Sequence, residues 1–430
     1  MRLANLRQKL DLPALRSRNY RLFLMGQGLS LTGTWMTQIA TVWLVYQLSH
    51  SSFLLGVVGF ASQIPSFVLV PFGGVLVDRW NRHRALVVTQ ALAMVQSLSL
   101  AALALTGTIQ IWHIIALSLF QGLINAFDAP TRQAFVPEMI EDRSALANAI
   151  ALNSSMFNGA RLVGPSIAGI LVATLGAGSC FLIDGLSYIA VIAALLAMRI
   201  KPAQNQLPKP PISLPIVVKQ LREGVRYAYR FKPIRAILLL LALVSFMGMP
   251  YTVLLPVFAT DILKGGASTL GVLSAAAGVG ALGAGVFLSL RKSILGLGRW
   301  IALAPAIMGT GLAIFALSKT LWLSALMMTL VGFGFLIQFA SSNTIIQTVV
   351  DDDKRGRVMS LYIMAFMGMM PLGSLFSGTL ADSIGASNTL LFGGICCVAG
   401  SFLFQRELPQ LRRILRPIYT RLGVIQSSQA

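Results

Sequence analysis

Four ionisable side chains fall inside runs of apolar sequence: Asp128, Arg132, Arg161 and Asp184. At the centre of a bilayer each such group costs roughly 2.5–3.5 kcal/mol on insertion scales, so it marks a candidate functional position. A nearby cation favours the charged form of a carboxylate and burial favours the neutral form, so a buried pair can be set to exchange a proton. Arg161 is therefore expected to hold Asp128 or Asp184 and to release it on protonation. Two plainer readings stay open. Asp128 and Arg132, four residues apart, can satisfy each other on one helix, and Arg161 can simply tie helices together.

The neighbouring polar residues follow helical spacing. Gln121, Asn125, Asp128 and Arg132 fall at i, i+4, i+7 and i+11, which is one helix face. Ser154, Asn158, Arg161 and Pro165 repeat that spacing, and Gln27, Thr34, Gln38 and Thr41 make a third stripe. From the second half of the chain, Gln338, Ser341 and Ser342 are the main polar candidates. Methionines gather there instead, at Met247, Met249, Met327, Met328, Met364, Met367, Met369 and Met370. Methionine makes adaptable apolar surface. A cavity with one polar and one soft wall suits a bulky amphipathic ligand, although lipid-facing or core packing explains the methionines equally well.

These groups need helices across a membrane to position them. Apolar residues make up 56% of the 430-residue chain and charged residues 11%. About twelve apolar stretches approach the roughly 20 residues that a spanning helix needs. They lie near 22–48, 53–77, 85–106, 112–133, 145–173, 179–198, 234–258, 269–290, 300–318, 321–345, 357–381 and 389–405. With the N-terminus on the cytoplasmic side, 31 of the 34 Lys and Arg fall on that one side. Only Lys264 and Lys319 lie opposite, and Arg161 lies within a span. Such a bias sets orientation, with both termini cytoplasmic in a multi-pass protein of the cell inner (plasma) membrane. The net charge of +20 is spread over short gaps, which fits contact with the anionic leaflet of the lipid bilayer and not nucleic acid. The first span follows its basic arm without a small-residue cleavage site, so it is expected to remain in place.

The longest gap divides the spans six and six. Residues 1–198 are expected to form one six-helix bundle and 234–405 another, with a linker over 199–233 and a basic cytoplasmic tail over 406–430. Within the linker, Lys201–Pro215 is proline-rich and should be irregular. After it, Val218, Leu221, Val225 and Ala228 form an apolar face and Arg222, Arg226 and Arg230 a basic stripe, so a helix is expected to lie flat on the membrane. A shift of 209 residues lays 142–177 on 351–386 without a gap. Gly159, Gly164, Gly169 and Gly176 then fall on Gly368, Gly373, Gly378 and Gly385. Parallel six-helix repeats are a transporter architecture with the site between the halves.

Several motifs carry a family resemblance. Gly74–Arg84, GVLVDRWNRHR, resembles the loop signature between the second and third helices of the major facilitator superfamily, with Asn81 where that signature has glycine. Ala126–Gly169 and Arg18–Met36 resemble the branch that holds enterobactin exporters, macrolide efflux proteins and related multidrug exporters. Gly159, Gly164-Pro165 and Gly169 resemble the Gly-Pro helix-packing motif of drug antiporters. The resemblance implies an all-α membrane protein of twelve transmembrane helices in two pseudo-symmetric bundles, working by alternating access. It also implies that the first and fourth helices line the central cavity. Gly74, Asp78, Arg79, Arg82 and Arg84 would form a gate, with Asp78 meeting the start of the eleventh helix near Gly356–Val358, and Asp351, Asp352 and Asp353 pairing with the loop arginines. One departure matters: Ser118 stands where many proton-coupled relatives place an arginine before Gln121-Gly122, so their coupling residues cannot be carried over.

The function expected is export of a small amphipathic molecule, a siderophore or hydrophobic drug, driven by inward proton flow. A lipid or lysophospholipid cargo is the alternative within the fold. A polytopic enzyme would need clustered catalytic side chains in a loop at the membrane, and the short gaps hold none. No metal site is suggested by His50, His83 and His113, and no cofactor by any phosphate-binding loop. Cys180, Cys396 and Cys397 lie in spans and read as buried thiols. A monomer is expected.

Overall fold

Glycine closes two of the long apolar helices in the same way. Gly176 and Gly385 adopt φ of +81° and +88°, a conformation open to a residue without a Cβ, and each begins a tight return into the next helix. They are partners under the 209-residue shift, so the repeat seen in sequence is also a repeat of backbone conformation.

The computed structural model describes residues 12–77, 81–200, 214–291 and 293–421. The first half contains α1 (Arg18–Ser49), α2 (Ser52–Val77), α3 (Arg82–Leu105), α4 (Ile111–Phe135), α5 (Leu146–Leu175) and α6 (Ala177–Leu196). The linker helix α7 (Leu214–Arg230) follows. The second half contains α8 (Lys232–Ile262), α9 (Ala267–Ser289), α10 (Leu297–Leu317), α11 (Leu321–Val349), α12 (starting at Asp352 and ending at Ile384) and α13 (Ala386–Arg421). Among the described residues, eleven helices are long and apolar enough to cross a membrane. The twelfth, α1, is diluted by its own polar stripe.

Within the first half α1 packs on α5 and α6, α3 on α4 and α6, and α2 on α4. In the second half α10 packs on α11 and α13, and α9 on α11. Two seams join the halves, α2 on α12 and α5 on α9. Each seam is a glycine contact. A Cβ on Gly378 would come within 2.8 Å of the Gly56 Cα, and one on Gly169 within 2.9 Å of the Gly271 Cα. Small residues let helix backbones approach this closely.

The apolar core is distributed unequally along the helices. Toward the ends that carry Tyr46, Leu55, Phe258 and Leu270 it is one continuous cluster drawn from both halves. Toward the ends that carry Arg82 and Lys232, here called the basic face, it divides. One cluster there uses first-half residues such as Tyr20, Leu86 and Phe135, and another uses the linker helix and second half, including Ala228, Ile301 and Leu415. The halves therefore share a core at the opposite face and part toward the basic face.

Three features depart from expectation. The helix α13 does not stop near residue 405 but continues to Arg421 through Pro409 and Pro417. The linker helix turns Gly224, Tyr227 and Ala228 toward the second half, with Glu223 paired to Arg357 at 3.0 Å, while Val225 stays 54% exposed. Finally, α8 and α12 are not regular: π-helical turns occupy Val244–Gly248 and Phe258–Ile262 in α8, and Met364–Gly368 in α12. Turns of this kind inside an α-helix commonly mark functional positions.

Candidate transport site between the halves

The two buried carboxylates of the first half are held by hydroxyls and amides. Asp184, on α6, accepts from the Thr37 hydroxyl of α1 and the Ser97 hydroxyl of α3, each at 2.9 Å, and is only 2% exposed. Its second oxygen has no partner among the described residues. One turn on, Tyr188 is also buried, and it lies in the field of both Asp184 and Asp128. Asp128, on α4, accepts from Thr89 and Gln90 of α3 at 2.8 Å each. Its other oxygen faces Arg132 at 3.6 Å. A column of buried polar groups thus runs through the first half, between α1, α3, α4 and α6.

Arg161 stands apart from this column. Its guanidinium lies 5.7 Å from the ring centre of Trp35 on α1 and 5.4 Å from that of Phe335 on α11. Tyr251 on α8, itself 2% exposed, lies close enough to feel the charge of Arg161. Cation–π contacts contribute about 0.5–2 kcal/mol each, more as water is removed. Among the described residues no carboxylate is within ion-pair distance of Arg161. The expected pairing with Asp128 or Asp184 is therefore corrected: both carboxylates turn into the first-half bundle, while Arg161 turns across the seam toward the second half.

The depth of Arg161 is set by the α5–α9 seam. Two turns toward the opposite face the Gly169–Gly271 contact is closed, and at Arg161 itself the backbone still lies against Gly278 of α9. Beyond it, a Cβ on Gly159 would meet nothing within 4 Å. Arg161 sits where the tight seam ends.

At the opposite face two polar contacts tie the halves. Asp382 of α12 accepts the backbone N–H groups of Ser52 and Phe53 at 2.9 and 3.1 Å, capping α2 from the other half. The Tyr46 hydroxyl of α1 donates to Asp261 of α8. Sequence reasoning missed these residues. A signal was present: Asp261 and Asp382 end spans on the side that holds only Lys264 and Lys319, so they had to find backbone or hydroxyl donors. Among the described residues, ion pairs near the basic face stay within one half or join it to the linker helix, as in Arg82–Glu138 at 2.7 Å and Lys232–Glu407 at 2.8 Å.

The family pattern described as Transmembrane secretion effector matches residues 11–414. The chain belongs to that family, within the major facilitator superfamily. It is 26% identical to the staphyloferrin A transporter of Staphylococcus aureus over 389 residues, covering 89% of this chain and 94% of that one. It is 24% identical to macrolide efflux protein A of Streptococcus pyogenes over 383 residues, covering 87% and 92%. In fold it resembles a bacterial homologue of the human lysosomal transporter Spinster, solved inward-facing and unoccupied, with a TM-score of 0.69, 15% identity, and coverage of 96% and 99%. The protein is thus a multi-pass secondary transporter of small molecules and not an enzyme.

In this transporter the expected site residues separate into groups. Thr34, Gln38 and Asn125 are exposed, and Gln121 and Asn158 partly so. Gln121 donates to Asn125 at 3.1 Å, and Asn158 to the Ser154 carbonyl at 2.8 Å, so both stripes are tied within their own helices. Gln27, Gln338 and Ser341 are instead buried, at 4%, 1% and 1% exposure. Their placement in a cavity wall is corrected; helical spacing put them on a face, and that face packs inward. In the Gly-Pro motif, Gly164 packs on Trp35 and Thr32 of α1 and Gly169 on α9, whereas Gly159 packs on nothing. Of the gate, Asp78 and Arg79 lie outside the described residues and Gly74 within helical backbone. Arg82 bonds Glu138 and the Ala134 carbonyl, and Arg84 donates its N–H to the Asn81 cap.

Proposed function

We propose that the protein exports a bulky amphipathic small molecule by alternating access, with protons entering as the compound leaves. The observation that carries this reading is the divided core: one cluster shared by both halves at the opposite face, two separate clusters at the basic face, and Arg161 where the shared part ends. With the basic face cytoplasmic, as the distribution of Lys and Arg favours, this geometry is loaded from the cytoplasm. Asp184 is the carboxylate available to carry protons, because it is buried, held by the neutral donors Thr37 and Ser97, and keeps one oxygen without a partner among the described residues. Names such as macrolide efflux protein among the relatives support the outward direction.

The test uses inverted membrane vesicles containing the protein. An inside-acid gradient should drive uptake of an amphipathic dye such as ethidium or a pyrene carboxylate, and nigericin should stop it. Uptake that ignores nigericin removes the proton; uptake of neither probe above empty vesicles removes export.

A further inference from the structure

Arg161 is a cation in a membrane-spanning bundle whose protein partners are all neutral. An intramembrane arginine is normally retained with a counter-charge, and here the two carboxylates within the first half are committed elsewhere. Asp184 is held by Thr37 and Ser97, and Asp128 by Thr89, Gln90 and Arg132. What surrounds the guanidinium is instead two aromatic rings, Trp35 from the first half and Phe335 from the second, with the buried Tyr251 of the second half close enough to feel its charge. The residue is partly exposed, and it sits where the α5–α9 seam stops being tight.

We propose that this cage is the anion subsite of the transported compound, so that the substrate is an amphiphile carrying a carboxylate or similar anionic group on a flat apolar body. This rests on the transport reading above and narrows its substrate class. The planar guanidinium offers paired donors that match a carboxylate, and the rings offer faces for an apolar or aromatic body. A cationic compound would bring a second positive charge beside Arg161, and the repulsion grows as the surrounding dielectric falls. Because the cage takes rings from both halves, an anion that draws the guanidinium away from Tyr251 and Phe335 loosens the halves at mid-depth. Substrate charge is thereby linked to the movement that carries it. Tyr251 and Phe335 act here as positioning residues for the guanidinium.

Three probes of one shape decide the point: 1-pyrenebutyrate, its neutral amide, and 1-pyrenebutylamine. Binding is read by fluorescence on the full-length protein in lipid nanodiscs, with empty nanodiscs as baseline. The butyrate should bind on the order of 10- to 100-fold more tightly than the amide, and the amine more weakly still. Arg161→Gln should bring the butyrate down to the affinity that the same variant shows for the amide, and Arg161→Lys should keep part of the preference. Equal affinity for the three probes in the wild-type protein, or no saturable butyrate binding, overturns the proposal even if the variants fail to fold. An Arg161→Gln protein that weakens all three probes alike also overturns it, since that is the mark of a structural role. Transport in proteoliposomes separates the two readings. Gradient-driven movement of the amide without charge preference leaves export standing and ends the anion subsite. Selective butyrate binding with no gradient-driven movement does the reverse.

Discussion

Asp382 reaches across the boundary between the halves and accepts the backbone N–H of Ser52 at 2.9 Å, so the first turn of α2 is capped by a residue of α12. A side-chain cap of this kind contributes about 0.5–2 kcal/mol, and a carboxylate at a helix N-terminus gains further from the helix dipole. In a two-state transporter this energy counts only in the state where the opposite face is closed. Asp382→Ala should therefore shift the population toward opening there by roughly 2- to 30-fold. Maleimide labelling from that side reports it, using Val253→Cys in a background whose three native cysteines are replaced. Unchanged labelling would show that the cap is structural and not part of a gate.

The seam glycines should tolerate almost nothing. A Cβ on Gly378 would stand 2.7 Å from the Ser52 carbonyl oxygen and 2.8 Å from the Gly56 Cα, and main chain cannot move aside as a flexible side chain can. Gly378→Ala and Gly169→Ala should each destabilise by about 1–3 kcal/mol, seen as a lower midpoint in thermal unfolding of the purified protein. Gly159→Ala, from the same sequence motif, should be neutral or gain up to ~1 kcal/mol from helix propensity. A loss of stability at Gly159 equal to that at Gly169 would contradict the separation of α5 from α9.

Proton coupling is expected to reside in the first-half column. Asp184→Asn preserves size and can still bond Thr37 and Ser97, yet it carries no exchangeable carboxyl proton. It should reduce gradient-driven transport by at least about tenfold while leaving energy-independent exchange of substrate across the membrane intact. Gly33→Ala should lower stability as well as coupling, because its Cβ would meet the free Asp184 oxygen at 2.6 Å and the Asp184 Cα at 2.9 Å. Full gradient-driven transport by Asp184→Asn would move the coupling role to Asp128 or out of the column.

A loop carboxylate provides the control for pH. The Ser144 hydroxyl and N–H donate to Asp142 at 2.6 and 2.9 Å, and these bonds hold its carboxyl below the ordinary carboxylate range. A depressed pKa means that the stabilising contribution is present above the unfolded-chain value and is lost only as pH falls through the lower folded value. Between about pH 5 and 8, where maximal stability usually lies, Asp142 stays ionised. Asp142→Asn should then leave the pH profile of transport unchanged across that interval, measured in the vesicle assay.

The helices were legible because burial in lipid demands long apolar runs, and the repeat because its glycines do the same work twice. Gly169 and Gly378 are both seam contacts, and Gly176 and Gly385 both carry positive φ. The charges were found, and Asp128 and Arg132 face each other as their spacing allows, but Arg161 was given a carboxylate it does not meet. Helical spacing says which residues share a face and not which neighbour that face meets. Asp128 lies on the stripe of Gln121 and Asn125 yet turns to α3, and Arg161 finds rings where a carboxylate was expected. The Asp382 cap was missed for a different reason: the position of the acid at a span end was a signal, but its partner is backbone, and backbone has no letter in a sequence.

The π-helical turns of α8 and α12 bear on how Arg161 is held. A π-turn holds one residue more than the α-helix needs. If Val244–Gly248 relaxed to ordinary helix, everything after it would rotate by about 100°, the angle of one residue. Tyr251 lies three residues beyond that turn and would swing off the guanidinium without either half having to rock as a block. The described spanning helices of the first half have no such turn. The half that holds Arg161 keeps regular spanning helices among its described residues, and the half that holds Tyr251 and Phe335 carries the joint.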